Sequence, residues 1–171
     1  MIVNSGSLLA SAPIKDMIDH KVRFNGASYG LGEAGYDIRL KQDIAFLPGP
    51  EGAGTPSIQL NKKWIRGRFV IASAIEEFQM PLNLVGIVHD KSTWARQGLS
   101  VFNTVIEPGW RGFLTLELVF HGHNPVEIPA GTGIAQVLFH KTLHESAYEG
   151  KYQDQEDKPI NAIRDKDDEH R

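Results

Sequence analysis

The chain of 171 residues carries a net charge of −3, with 41% hydrophobic and 23% charged residues, the composition of one ordinary globular domain. That balance supplies no overall basic field for holding DNA or RNA, no apolar run approaches the ~20 residues of a membrane helix, and the N-terminus lacks the positive n-region of a secretion signal. The absence of cysteine removes disulfides, thiol nucleophiles and thiolate zinc sites, and is compatible with a cytoplasmic location.

Residues 5–20 carry the best helical pattern, with Ser5 or Ser7 as caps and Leu8, Leu9, Ile14, Met17 and Ile18 at the apolar positions. Pro13 interrupts it, which allows two short turns instead. From Tyr36 onward the texture is different. Short runs such as "YDIRL", "RFVIAS", "LVGIVH" and "IAQVLFHKTL" are rich in β-branched and aromatic residues and are bounded by Gly, Pro, Asn or Asp. This predicts a mostly-β fold of many short strands, a sandwich, jelly roll or barrel. Residues 47–57, "LPGPEGAGTPS", read as a hairpin tip, and 90–98, "DKSTWARQG", as one or two helical turns starting near Asp90 or Ser92. Residues 1–150 form the expected domain, and 151–171 a polar tail ending "RDKDDEHR".

Three constellations carry candidate chemistry. The run "GFLTLELVF" (112–120) is apolar on both strand faces except for Glu117, which shares a face with Phe113, Thr115 and Val119. A carboxylate there is either paired with a cation for structure or has its pKa raised toward the range useful for proton transfer. "KSTWAR" places Ser92 and Thr93 within one turn of Arg96. Together with Lys91, these hydroxyls and cations suit a phosphate. "IEPGWRG" (106–112) combines a turn at Pro108–Gly109 with Glu107 and Trp110, a carboxylate and an aromatic plane just ahead of the Glu117 strand. "HGH" at 121–123 lacks the motif context of a catalytic metal site.

Taken together, "AGYDIRL" (34–40), "DKSTWARQGL" (90–99), "IEPGWRGFLTLEL" (106–118), "IPAGTGIAQVLF" (128–139) and "YEGKYQDQ" (148–155) resemble, in order and spacing, the dCTP deaminase branch of the dUTPase-like superfamily. The resemblance implies a homotrimer of distorted β-barrel or jelly-roll subunits, with active sites between subunits and the tail closing over them. It implies deamination of dCTP to dUTP and ammonia, supplying dUMP for thymidylate synthesis, without zinc and with Mg²⁺ held by the triphosphate rather than by protein side chains. Glu117 would be the catalytic acid/base. Ser92 would hold the attacking water and Arg96 would be the active-site arginine. Lys91 and Thr93 would take the triphosphate, the backbone of Val105 and Ile106 the base edge, and Glu107 the deoxyribose 3′-hydroxyl. Trp110, Tyr148, Lys151 and Gln155 complete the expected substrate-binding set.

The sequence departs from the family at Lys91, where arginine is usual, at Glu107, where aspartate is usual, and after Gln155, where "EDKPINAIRD" replaces a Gly-rich continuation. Two rivals lie within the superfamily: a bifunctional enzyme carrying dCTP through to dUMP and pyrophosphate, and a pure dUTPase. The extra glutamate at 117 and the missing Gly-rich, Phe-containing arm oppose the second. A nucleotide-binding protein without chemistry is the rival from another class, opposed by Ser92, Arg96 and Glu117 together.

Overall fold

The computed structural model describes residues 1–47 and 56–164. In chain order, β1 (Ile2–Val3) precedes helix α1 (Ser5–Ser11), followed by β2 (Lys21–Phe24), β3 (Ala27–Leu31), β4 (Tyr36–Arg39) and β5 (Ile44–Leu47). Next come β6 (Ser57–Leu60), β7 (Lys63–Arg66), β8 (Phe69–Gln79), β9 (Leu84–Asp90) and helix α2 (Ser92–Ala95). The chain continues through β10 (Leu99–Val101), β11 (Val105–Ile106), β12 (Arg111–Phe120), β13 (Val126–Ile128) and β14 (Gly133–Lys141).

The fold is mostly β, as the strand pattern predicts, but the described residues form three separate sheets and no closed barrel. The largest runs β11-β9-β14-β4-β3-β2, with β1 added to β14; the others are β10-β12-β8 and β13-β5-β6-β7. The ladder between β8 and β12 breaks where it would have to continue. Phe113 faces Glu77 but Thr115 faces Ser73, so β8 carries extra residues there. Within that break Ala74 bridges to Leu40. Glu76 accepts hydrogen bonds from the backbone N–H and the Nε of Arg39, both at 2.8 Å. β8 thus touches the large sheet at isolated points without merging into it. Between the smaller sheets, Phe46 stacks on Phe120 with centroids 5.1 Å apart. Tyr36, Phe46, Phe78 and Phe139 are among the fully buried side chains around which the sheets pack.

The helix expected over 5–20 is shorter. It stops at Ser11 because Ala12 turns left-handed (φ 43°) ahead of Pro13, and Ile14 pairs with Phe78 instead of continuing the helix. Its N-cap is Asn4 rather than Ser5 or Ser7. The turn expected within 90–98 is the single turn α2, with Lys91 at the N-cap position in place of Asp90 or Ser92. The hairpin tip expected over 47–57 lies mostly outside the described residues, although the flanking β5 and β6 pair with Leu47 opposite Ser57. Residues 165–171 of the charged terminus lie outside them too.

Candidate active site

The site grows from the turn that starts β12. Trp110 N–H donates to Glu107 C=O (3.1 Å), and Gly109 at φ 74° takes the left-handed position that a Pro-Gly type II turn requires. Three residues after Gly109, Gly112 (φ 130°) leaves room that no other residue leaves: a Cβ there would stand 2.5 Å from the backbone nitrogen of Gln155. The chain's tail uses that room. Phe113 N–H donates to Gln155 C=O (3.1 Å), and Trp110 Nε1 donates to Tyr152 C=O (2.6 Å). Arg111 pairs with Asp154 (2.9 Å). "GWRG" is therefore a landing strip for the tail as well as the entry to β12.

Tail and strand enclose a cavity of about 540 Å³. Thr115 and Glu117 of β12 open into it, with Phe69 and Ile71 of β8 beside them; Thr104, Val105, Ile106 and Glu107 form another wall. Trp110 and Leu114 lie between, and the tail contributes Tyr148, Tyr152, Gln155 and residues 160–162. The wall is mainly apolar, the general character of small-molecule sites, with a few polar groups aimed inward.

Glu117 is half-buried, and its Oε2 has no hydrogen-bond partner among the described residues. Burial pushes its carboxyl pKa above the ordinary value, opposed in part by a backbone hydrogen bond. Among the described residues Glu117 has no salt bridge, so of its two sequence readings the structural ion pair is absent. A carboxyl with a raised pKa and a free oxygen at a cavity wall is a ready proton acceptor.

The structure gathers seven of the predicted site residues around this cavity: Val105, Ile106, Glu107, Trp110, Glu117, Tyr148 and Gln155. Ser92, Thr93, Arg96, Lys91 and Lys151 are not in its wall. α2 is pinned elsewhere, since Trp94 Nε1 donates to Gly133 C=O at 2.7 Å in β14. Lys91, expected on the triphosphate, turns inward: its ammonium pairs with Asp37 and donates to Ser28 Oγ at 3.0 Å. The Lys91 and Asp37 side chains are only 10% and 5% exposed. Lys151 lies over the Tyr152 ring, 5.6 Å from its centroid.

Sequence reasoning missed Thr115, Tyr152 and the 160–162 segment. Thr115 was within reach, because the period of two that singles out Glu117 puts it on the same face. Residues 160–162 carry no motif; only the tail's path brings them there.

A family model described as dCTP deaminase-like matches residues 8–142. A dCTP deaminase of Herpetosiphon aurantiacus is 34% identical over 158 residues, covering 83% of this chain and 86% of that protein. One of Protochlamydia amoebophila is 35% identical over 159 residues, covering 81% and 85%. Among solved structures, a 2′-deoxycytidine 5′-triphosphate deaminase from Agrobacterium tumefaciens superposes with a TM-score of 0.56 at 17% identity, over 82% of this chain and 48% of that one. An EIAV dUTPase gives 0.50 at 21% identity, over 82% and 92%. At these identities the structural likeness speaks for the dUTPase-like fold alone. Family membership rests on the sequence matches: the chain belongs to the dCTP deaminase-like family.

Proposed function

We propose that the protein hydrolyses the 4-amino group of dCTP, giving dUTP and ammonia, with Glu117 as the general acid/base. The observation that carries this reading is the Glu117 carboxyl itself, free at Oε2 and raised in pKa by burial on the wall of a cavity large enough for a nucleoside. Holding a phosphate needs no such group, whereas adding water to C4 of a pyrimidine does. Glu117 takes a proton from water as the oxygen bonds to C4, and delivers it to N3. It then moves the second proton from the new hydroxyl to the amino group, the C4–N bond breaks, and ammonia leaves a C4 carbonyl. Proton transfer by a positioned group is typically worth about 10²–10⁴ in rate.

The working assembly is a homotrimer in this reading, with each site shared by two copies. Supporting it, the residues matched to the reacting water and the phosphates, Ser92, Thr93 and Arg96, are outside the cavity of their own chain. Beside that cavity, Phe69, Phe102 and Val105 are 48%, 51% and 55% exposed, and the Phe69 and Phe102 rings stack at 6.2 Å. A second copy seated on this apolar edge would bury it and bring its own α2 to the cavity. Mg²⁺ would enter on the triphosphate. The phosphate oxygens would hold the ion there. The protein's part would be to neutralise and orient the phosphates through Thr93 and Arg96. Lys91 would contribute there only by leaving Asp37.

Glu107, a second carboxylate in the same cavity, keeps the bifunctional route to dUMP as the second reading. Incubating the protein with dCTP and Mg²⁺ while following ammonia, dUTP, dUMP and pyrophosphate separately decides between them. Ammonia with accumulating dUTP is expected; dUMP with equimolar pyrophosphate supports the second reading. In a parallel incubation with dUTP, its cleavage while dCTP stays untouched in the first would contradict both.

A further inference from the structure

The segment after Gln155, where the sequence leaves the family's pattern, does not simply run off the molecule. Ile160 N–H donates to Thr115 Oγ1 at 3.0 Å, and Ile163 N–H donates to the Tyr152 hydroxyl at 2.9 Å. Asp157 pairs with Lys41. These contacts draw residues 156–163 back across the Glu117 cavity, so that Asn161 stands at its rim.

Thr115 is the junction. It is 7% exposed, on an otherwise apolar stretch of β12, two residues from Glu117 and on the same face. Its hydroxyl has one proton and lone pairs to spare. The proton goes to Gln155 Oε1 at 3.3 Å, and a lone pair takes the Ile160 N–H. One side chain thereby fixes two separate pieces of the tail. With Oε1 engaged, the Gln155 amide is left to offer N–H donors, which suit a carbonyl acceptor on a ligand rather than a donor.

We propose that Thr115 is a positioning residue for nucleotide binding: its hydroxyl clamps the Gln155 side chain and the Ile160 backbone together, setting the orientation of one amide and bringing a second, that of Asn161, to the cavity as an added nucleotide contact. This rests on the reading that the cavity receives the nucleotide. A valine at 115 fills the same volume with no hydroxyl, so both clamps are lost. Serine keeps them.

The test has two readouts. Hydrogen exchange of the ligand-free protein follows the Ile160 amide: in Thr115→Val it should speed up by about 10-fold or more, while Thr115→Ser stays near wild type. In steady-state assays Thr115→Val should raise the KM for dCTP about 10-fold, with kcat changed much less, and Thr115→Ser should restore it. Ile160→Pro removes the donor from the other side and leaves β12 untouched; it should raise KM similarly, and add nothing further in the Thr115→Val background. Wild-type Ile160 exchange in Thr115→Val, a serine variant as impaired as the valine one, or a wild-type KM in Ile160→Pro would each overturn the proposal. The exchange readout uses no substrate, so it stands or falls separately from the deaminase reading.

Discussion

Two parts of the molecule carry the predicted site residues, and they are built in opposite ways. The Glu117 face of β12 is finished within one chain: turn, strand and tail close around a cavity, and seven predicted residues meet there. The start of α2 is not. Its hydroxyls and arginine lie outside that cavity, its lysine is committed to Asp37, and its tryptophan is bolted to β14. Within one chain the fold gathers Glu117 and its cavity but leaves Ser92, Thr93 and Arg96 outside it. The lesson is that matching motifs do not imply neighbouring side chains; in the proposed homotrimer, symmetry between copies would bring the two regions together.

The sharpest way to break this comparison is to disable each half separately. Ser92→Ala and Glu117→Gln should each lower dCTP turnover by about 10²–10⁴ alone. Unfolded together at equal amounts and refolded, they should recover about a quarter of the wild-type rate, because random assembly of copies pairs an intact Glu117 with an intact Ser92 in that fraction of sites. No recovery in mixed oligomers would place both halves in one chain.

Next in size is Lys91. Lys91→Met leaves Asp37 buried without its cation, a loss of about 3–5 kcal/mol for a broken buried pair, and should lower Tm by on the order of 10 °C. An unchanged Tm with a raised KM would mean that the lysine serves phosphate more than fold. On the other side of the comparison, Gly112→Ala puts a Cβ against the Gln155 backbone. It should loosen the tail and raise the KM for dCTP about 10-fold, with the loss of one or two hydrogen bonds, while Ser92 and Arg96 are unaffected.

The smallest effect concerns protonation. Burial raises the folded-state pKa of Glu117, so the folded protein holds that proton more tightly than the unfolded chain. The resulting stability is fully present below the unfolded pKa and is lost as pH rises through the folded one. At neutral pH the charged form is a burden, and Glu117→Gln should raise Tm by on the order of 2 °C. That gain should shrink as the solution is acidified. With Glu117 as the proposed base, the same shift should place the acid limb of the deamination rate, read from a pH–rate profile, above the range of an exposed carboxylate.

How much of this was legible in the sequence depends on the range of the interaction. β12 and its buried carboxylate follow from a period of two and one charge, both local. The β-rich class follows from many short runs of the same kind. No closed barrel forms: the described strands lie in three sheets, and the β8–β12 ladder shifts register between Phe113 and Thr115, where Ala74 bridges to Leu40 and Glu76 accepts from Arg39. Nothing within β8 announces that register change. α1 ends one residue before the left-handed Ala12, a stop that Pro13 signals. The Lys91–Asp37 pair is not legible in the sequence, because the two residues are far apart along the chain and nothing in "YDIRL" or "DKS" marks them as partners. The role of Thr115 is not legible in β12, because its partners Gln155 and Ile160 lie in a distant tail, Ile160 in a stretch with no motif.

In the proposed mechanism Glu117 moves the protons of deamination. The most direct test is ammonia release from saturating dCTP by Glu117→Gln, with dCTP affinity measured on the same preparation. Wild-type affinity and a rate lower by about 10²–10⁴ are expected. Wild-type affinity with a wild-type rate of ammonia release would contradict it.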